Sequence, residues 1–221
     1  MRTTGLLVAG VAGWLLMAGG GASAGIMDDP NGMGGDWQGR REFRSLMDGE
    51  HLNMIAVDIE FCVYAPGQFG QSYPGGDPSG GQHYVYAYEI FNDLDPHPAP
   101  SPGYVERFSV GLDDDEQAAS IGFIDGAGQD PNSCGLGPQT AGWNFNDPTL
   151  NYPSVSDVLL FTSPFRPEWD TATVSGSMAL HDTQSMPSPV PEPATLLLAG
   201  LGGAAAILSG RRRRRLPAGA R

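Results

Sequence analysis

The chain has 221 residues, among them 32 glycines and 19 prolines, and a formal net charge of −13 at neutral pH. Its 12 basic residues are all arginine; only Arg40, Arg41, Arg44, Arg107 and Arg166 lie between residues 25 and 189, against 24 acids, a formal charge of −19 for that stretch. Such a surface excludes nucleic acid as a partner and is repelled by anionic lipid, while it attracts divalent cations and basic partners and keeps an exported protein soluble.

Residues 1–24 read as a secretory signal peptide. Arg2 supplies the positive start, residues 5–17 the apolar region, and Ala22-Ser23-Ala24 a small-residue cleavage site before Gly25. The body that follows, residues 25–183, is long enough for one domain with its own core. Residues 25–39 are rich in Gly, Asp and Pro and read as loose, and RREFRSLM over 40–47 reads as one or two helical turns.

The first strand is expected over 54–64, where Val57, Ile59, Phe61 and Val63 share one face and Asp58, Glu60 and Cys62 the other. A turn-rich loop over 70–81 leads to a second strand over 83–91, apolar on both faces and therefore central. Further strands are expected over 104–112, 118–124, 142–145, 155–162 and 171–180. Seven short strands between Gly, Pro and Asp turns, with no long helical period, predict an all-β fold, a single β-sandwich. A Ser/Pro linker over 184–189 follows.

The tail over 190–215 has three parts in fixed order: Pro191-Glu192-Pro193, a charge-free run over 194–210, and Arg211, Arg212, Arg213, Arg214 and Arg215. As a helix the 17-residue run reaches roughly 25 Å, slightly short of a hydrocarbon core of about 30 Å. It spans a membrane with local thinning or with the arginines reaching outward. The arginine cluster resists translocation, so the tail halts the chain with its body outside the cytoplasm. This tail resembles the PEP-CTERM sorting signal of exported bacterial proteins, also described as an ice-binding-protein C-terminal domain. The resemblance covers the tail alone. It implies recognition by an exosortase after passage through the secretion machinery, cleavage near Pro191-Glu192-Pro193, and delivery to the cell surface or extracellular polymer. It implies nothing about the activity of the body.

Cys62 and Cys134 are the only cysteines. In an oxidising compartment such a pair reads as a disulfide, closing a loop of about 70 residues and stabilising the fold by roughly 4 kcal/mol. The four histidines show no paired metal spacing, and neither a nucleophile elbow nor a phosphate-binding loop occurs in a chain without lysine. No catalytic residue is assigned, and a non-enzymatic protein is expected. Asp58 and Glu60 are the nearest same-face acids, about 7 Å apart on a strand, and a solvated strand face is their simpler reading.

Calcium is the more plausible chemistry. Asp113 and Asp115 belong to an acidic turn, and Asp125 and Asp130 bracket a Gly-x-Gly-x-Asp fragment like that of calcium-binding loops, though present once rather than as a stacked repeat. Tyr84, Tyr86 and Tyr88 share one strand face and would make a platform for sugar rings if exposed, whereas a stripe at this spacing more often packs a sheet. The sequence thus points to an exported structural or adhesive protein of the extracellular polymer. A carbohydrate-binding module and, behind it, a polysaccharide-acting enzyme are the alternatives, with extracellular polysaccharide as the partner.

Overall fold

The computed structural model describes residues 25–46, 53–92, 101–112, 118–176 and 180–189. The signal peptide, the hydrophobic run over 194–210, Pro191-Glu192-Pro193 and Arg211 to Arg215 lie outside the described residues. Among the described residues no helix is long and apolar enough to cross a membrane.

Among the described residues twelve strands follow in chain order: β1 (Gln38–Leu46), β2 (Asn53–Tyr64), β3 (Tyr84–Asn92), β4 (Ser101–Pro102), β5 (Val105–Gly111), β6 (Ser120–Ile124), β7 (Ser133–Gly137), β8 (Thr140–Asn144), β9 (Ser154–Val155), β10 (Val158–Ser163), β11 (Pro167–Gly176) and β12 (His181–Pro189). A single helical turn, α1 (Phe69–Ser72), and two 3-10 turns, Ile26–Asp28 and Gly35–Trp37, complete the elements. One sheet runs β1-β2-β3-β10-β6, with β4 beside β2 and β9 beside β3; the other runs β12-β11-β5-β8-β7. All pairings are antiparallel except the short β2–β4 contact. The fold is the expected all-β pair of packed sheets.

The period of two in β2 and β3 decides what lies between the sheets. Val57, Ile59, Phe61 and Val63 point inward with Tyr86, Tyr88 and Ile90, meeting Phe108, Val110, Trp143 and Val174 of the second sheet. Trp143 is fully buried, stacks on Phe108 at 5.7 Å, and donates its indole N–H to the Gly122 carbonyl at 2.8 Å, a bond from β8 of one sheet to β6 of the other. A buried indole needs such a partner, and here the bond also ties the layers together.

The first sheet is buried on its outer face as well. Cys62, Tyr64, Val85, Ala87 and Leu160 form a second apolar cluster, covered by Ile26 from the N-terminal segment and by Phe69 of α1. That double burial explains why β3, flanked by β2 and β10, carries apolar residues on both faces.

Three expectations are corrected. Of the stretch 40–47, residues 40–46 are not helical but belong to β1, which pairs along its whole length with β2, and Met47 lies outside the described residues. Among the described side chains of this strand only Phe43 enters the core, so the alternation is masked by charge. The stretch over 184–189 is not a linker but the last two-thirds of β12, in register with β11 to the Pro189–Pro167 pair. Pro187 and Pro189 lack the N–H of an inner strand, and β12 accommodates them because it lies at the sheet edge. Finally, Cys62 and Cys134 form no disulfide; both are free. Cys62 points to the outer face of the first sheet, whereas Cys134 sits on β7 of the other sheet and packs against the inter-sheet core. Burial pushes the Cys62 thiol up to about 12, and that of Cys134 upward as well, so neither is poised as a nucleophile.

Candidate functional site

The most concentrated donor set grows out of one strand register. β10 pairs antiparallel with β6, setting Val158 opposite Ile124. The residue after Ile124 therefore meets the residue before Val158, and Asp125 comes beside Asp157. The loop then folds back so that Gln129 N–H donates to Val155 O at 2.8 Å and Asp157 N–H to Gln129 O at 3.1 Å, which delivers Asp130 to the same place. Asp125, Asp130 and Asp157 present carboxylate oxygens within 4.8 Å of one another.

Asp157 is buried and its two oxygens accept the Gly126 N–H at 3.2 Å and the Gly128 N–H at 2.9 Å. A side chain at Gly128 would overlap the Ser156 carbonyl, so this approach needs glycine. Burial and hydrogen bonding with Asp130 push the Asp157 carboxyl up to about 6, while the two N–H donors oppose the shift. Three carboxylate oxygens at this spacing suit a hard divalent cation, which takes oxygen ligands at about 2.3–2.6 Å for Ca²⁺. At acid pH a proton on Asp157, hydrogen-bonded to Asp130, competes with such a cation. An open groove lined by Ala127, Gly128, Gln129, Pro153, Ser154 and Val155 runs alongside.

The structure thus joins Asp125 to Asp130 and adds Asp157, which the sequence reading had placed inside a strand over 155–162. Antiparallel pairing of β6 with β10 was the signal that could have found it. Asp113 and Asp115 fall within 113–117, outside the described residues.

Asp58 and Glu60 do not form a solvated strand face. They project from β2 on the covered outer side of the first sheet, 9% and 2% exposed. Arg40 of β1 bridges them, with Nη1 3.0 Å from Asp58 and Nη2 2.5 Å from Glu60. The other Glu60 oxygen accepts the Met27 N–H at 3.4 Å. Glu89 of β3 stands opposite Glu60 in the β2–β3 register. Burial and the Glu60 charge push its carboxyl up to about 7.

The tyrosine stripe is core rather than platform. Tyr86 and Tyr88 are buried, stacked with Phe161, and their hydroxyls donate to the Phe165 and Pro187 carbonyls at 3.0 and 2.6 Å. Tyr84 is half-buried against the same core. The exposed aromatic ring nearest to a platform is Trp169, but it stacks with Trp37 at 5.8 Å, carries the Arg41 guanidinium at 5.0 Å, and meets the edge of Phe61. Its faces are engaged within the protein.

The class defined so far is a two-sheet β-sandwich, acidic outside, whose last strand ends at Pro189. At that residue a recognised sequence begins: the family described as the PEP-CTERM protein-sorting motif matches residues 189–214. The chain therefore carries the signal of an exported protein that is sorted at the membrane and processed by an exosortase. Neither the curated proteins nor the solved structures compared with the chain match it.

Proposed function

We propose that the body is a structural or adhesive domain of the extracellular polymer, delivered as a membrane-held precursor and freed at or near Pro191-Glu192-Pro193. The observation that carries this reading is the position of the sorting motif, which starts where β12 ends, so the whole sandwich is the cargo. Two further features support it. Both faces of the seven-stranded sheet are covered, and the acidic surface keeps the released domain in solution until it meets cations or basic groups in the matrix.

Fractionation of cells making the full chain or a chain lacking residues 190–221 tests the proposal. The full chain is expected in the surface and matrix fractions after passing through a larger membrane-bound precursor, and the truncated chain in the medium. Equal surface retention of both chains would overturn it. Binding of the released protein to the producing cells' own polymer, measured by co-sedimentation, then checks the adhesive role.

A further inference from the structure

Residues 25–33 form a cap on the outer face of the first sheet, and the cap is held from several directions. Ile26 is buried in the outer apolar cluster. Gln38 Nε2 donates to the Ile26 and Asp29 carbonyls at 3.3 and 3.0 Å. The Asp29 carboxylate accepts the Tyr64 hydroxyl at 2.9 Å and the Ser72 hydroxyl at 2.8 Å, and the Met33 N–H donates to Val63 O at 2.8 Å. Gly25, the first residue of the cap, is therefore placed and not free to wander.

Its place is against Glu60. A Cβ built on Gly25 would fall inside the Glu60 carboxylate. The backbone nitrogen lies about 2.5 Å from such a Cβ, so the Gly25 nitrogen is within about 5 Å of a carboxylate oxygen. The next two residues face the same acids: the Ile26 backbone opposes the rise at Glu89, and the Met27 N–H is hydrogen-bonded to Glu60.

The cluster is short of positive charge. β2 contributes Asp58 and Glu60, β3 contributes Glu89, and the charge of Asp157 reaches Glu89 from the start of β10. Asp28 and Asp29 belong to the cap, and Tyr73 lies beyond α1. Against these stands Arg40 of β1, whose ion pairs go to Asp58 and Glu60; among the described residues none goes to Glu89.

We propose that the α-ammonium group created at Gly25 by removal of the signal peptide is the missing cation, docking between Glu60 and Glu89 and fastening the cap to the sheet. Hydrolysis of the Ala24–Gly25 bond consumes one water and leaves a carboxylate on Ala24 and an ammonium on Gly25. In the precursor the same nitrogen is a neutral amide, so processing adds one positive charge at the cluster. Before cleavage Glu89, held up to about 7, takes a proton near neutrality; the ammonium draws it back toward its ionised form. The inference rests on export of the chain but not on what the body does afterwards.

The chain contains no lysine, so the α-amine is its one primary amine and is addressed without interference. The exported protein is purified in detergent and its N-terminal mass is read. Its amine is then labelled by reductive ¹³C-methylation and titrated by NMR, folded and in urea. The expected result is a chain beginning at Gly25 whose folded amine titrates at least one unit above the ordinary value of about 8 and returns to that value in urea. In a parallel sample, acetylation of the amine is expected to lower Tm by several degrees, and Glu89→Gln to bring the folded amine back toward 8. A start other than Gly25, or an ordinary folded pKa together with an unchanged Tm after acetylation, would overturn the inference while leaving surface delivery intact. A chain found intact in the cytoplasm would instead defeat the export reading beneath it.

Discussion

Replacing Arg40 by methionine isolates the electrostatic strain of the outer face. Methionine keeps an apolar stem beside Phe91, over whose ring the Arg40 guanidinium lies at 5.4 Å, and removes both ion pairs at once. Breaking a fully buried pair costs about 3–5 kcal/mol, because the surviving charge is left unsolvated. Arg40 is 43% exposed, and water screens part of the interaction, which lowers the expected loss to about 2–3 kcal/mol at pH 7.5. A ceiling comes from protonation. Each of the two abandoned carboxylates escapes by taking a proton, at about 1.4 kcal/mol for each unit between the pH and an ordinary value near 4.3 for glutamate and 3.9 for aspartate, so the joint penalty cannot exceed about 1 kcal/mol at pH 4.5. Urea unfolding of the wild type and Arg40→Met at pH 7.5 and pH 4.5 reads both numbers, and the variant's Tm should fall by about 4–12 °C at the higher pH. Equal losses at the two pH values, or a loss below about 0.5 kcal/mol at pH 7.5, would refute the claim that Asp58 and Glu60 depend on Arg40 for their charge.

The Asp157 carboxyl, pushed up to about 6, binds its proton more tightly folded than unfolded; that stabilisation is full below about pH 4 and is lost as the pH rises through 6. Urea midpoints between pH 5 and 7.5 should therefore fall with rising pH, and Asp157→Asn should flatten the slope. Calcium at about 5 mM should raise Tm more at pH 7.5 than at pH 5, because the proton on Asp157 competes with the cation, and Asp157→Asn should abolish the difference. Gly128→Ala forces a side chain into the Ser156 carbonyl and should cost about 1–3 kcal/mol, whereas Gly122→Ala, with open space at its Cβ, should be nearly neutral by the same assay. Thiol titration of the denatured, unreduced protein should find two free thiols, and in the native protein Cys134 should react before the buried Cys62.

Elements whose side chains alternate cleanly between core and exterior were readable from the sequence. The bounds expected for β2 and β3 agree with those observed to within a residue, because Val57, Ile59 and Phe61 and the Tyr84 to Ile90 series declare their faces. β1 and β12 were hidden for opposite reasons. Among its described side chains β1 sends a single large apolar residue inward amid arginines, and β12 carries prolines that argue against any strand except one at an edge. The candidate site was half legible. Asp125 and Asp130 stand out in a glycine-rich loop, but Asp157 joins them only through the pairing of two strands more than 30 residues apart. Burial of Glu60 was invisible for a similar reason. An alternating strand shows which residues share a face but not that residues 25–33 will cover it.

The last described strand runs to Pro189, the residue at which the sorting motif begins, and this leaves the processing enzyme little room. From Pro189 to Pro193 a fully stretched chain covers at most about 14 Å, so a cut at Pro191-Glu192-Pro193, as proposed, falls within that distance of the described end of β12. Anything bulky grafted onto that end would shield the bond. Once cut, the new end issues from a border strand in which Pro187 and Pro189 withhold two N–H groups, a poor template for recruiting the border of a second molecule. That one border is thereby blunted against edge-to-edge pairing with a second copy.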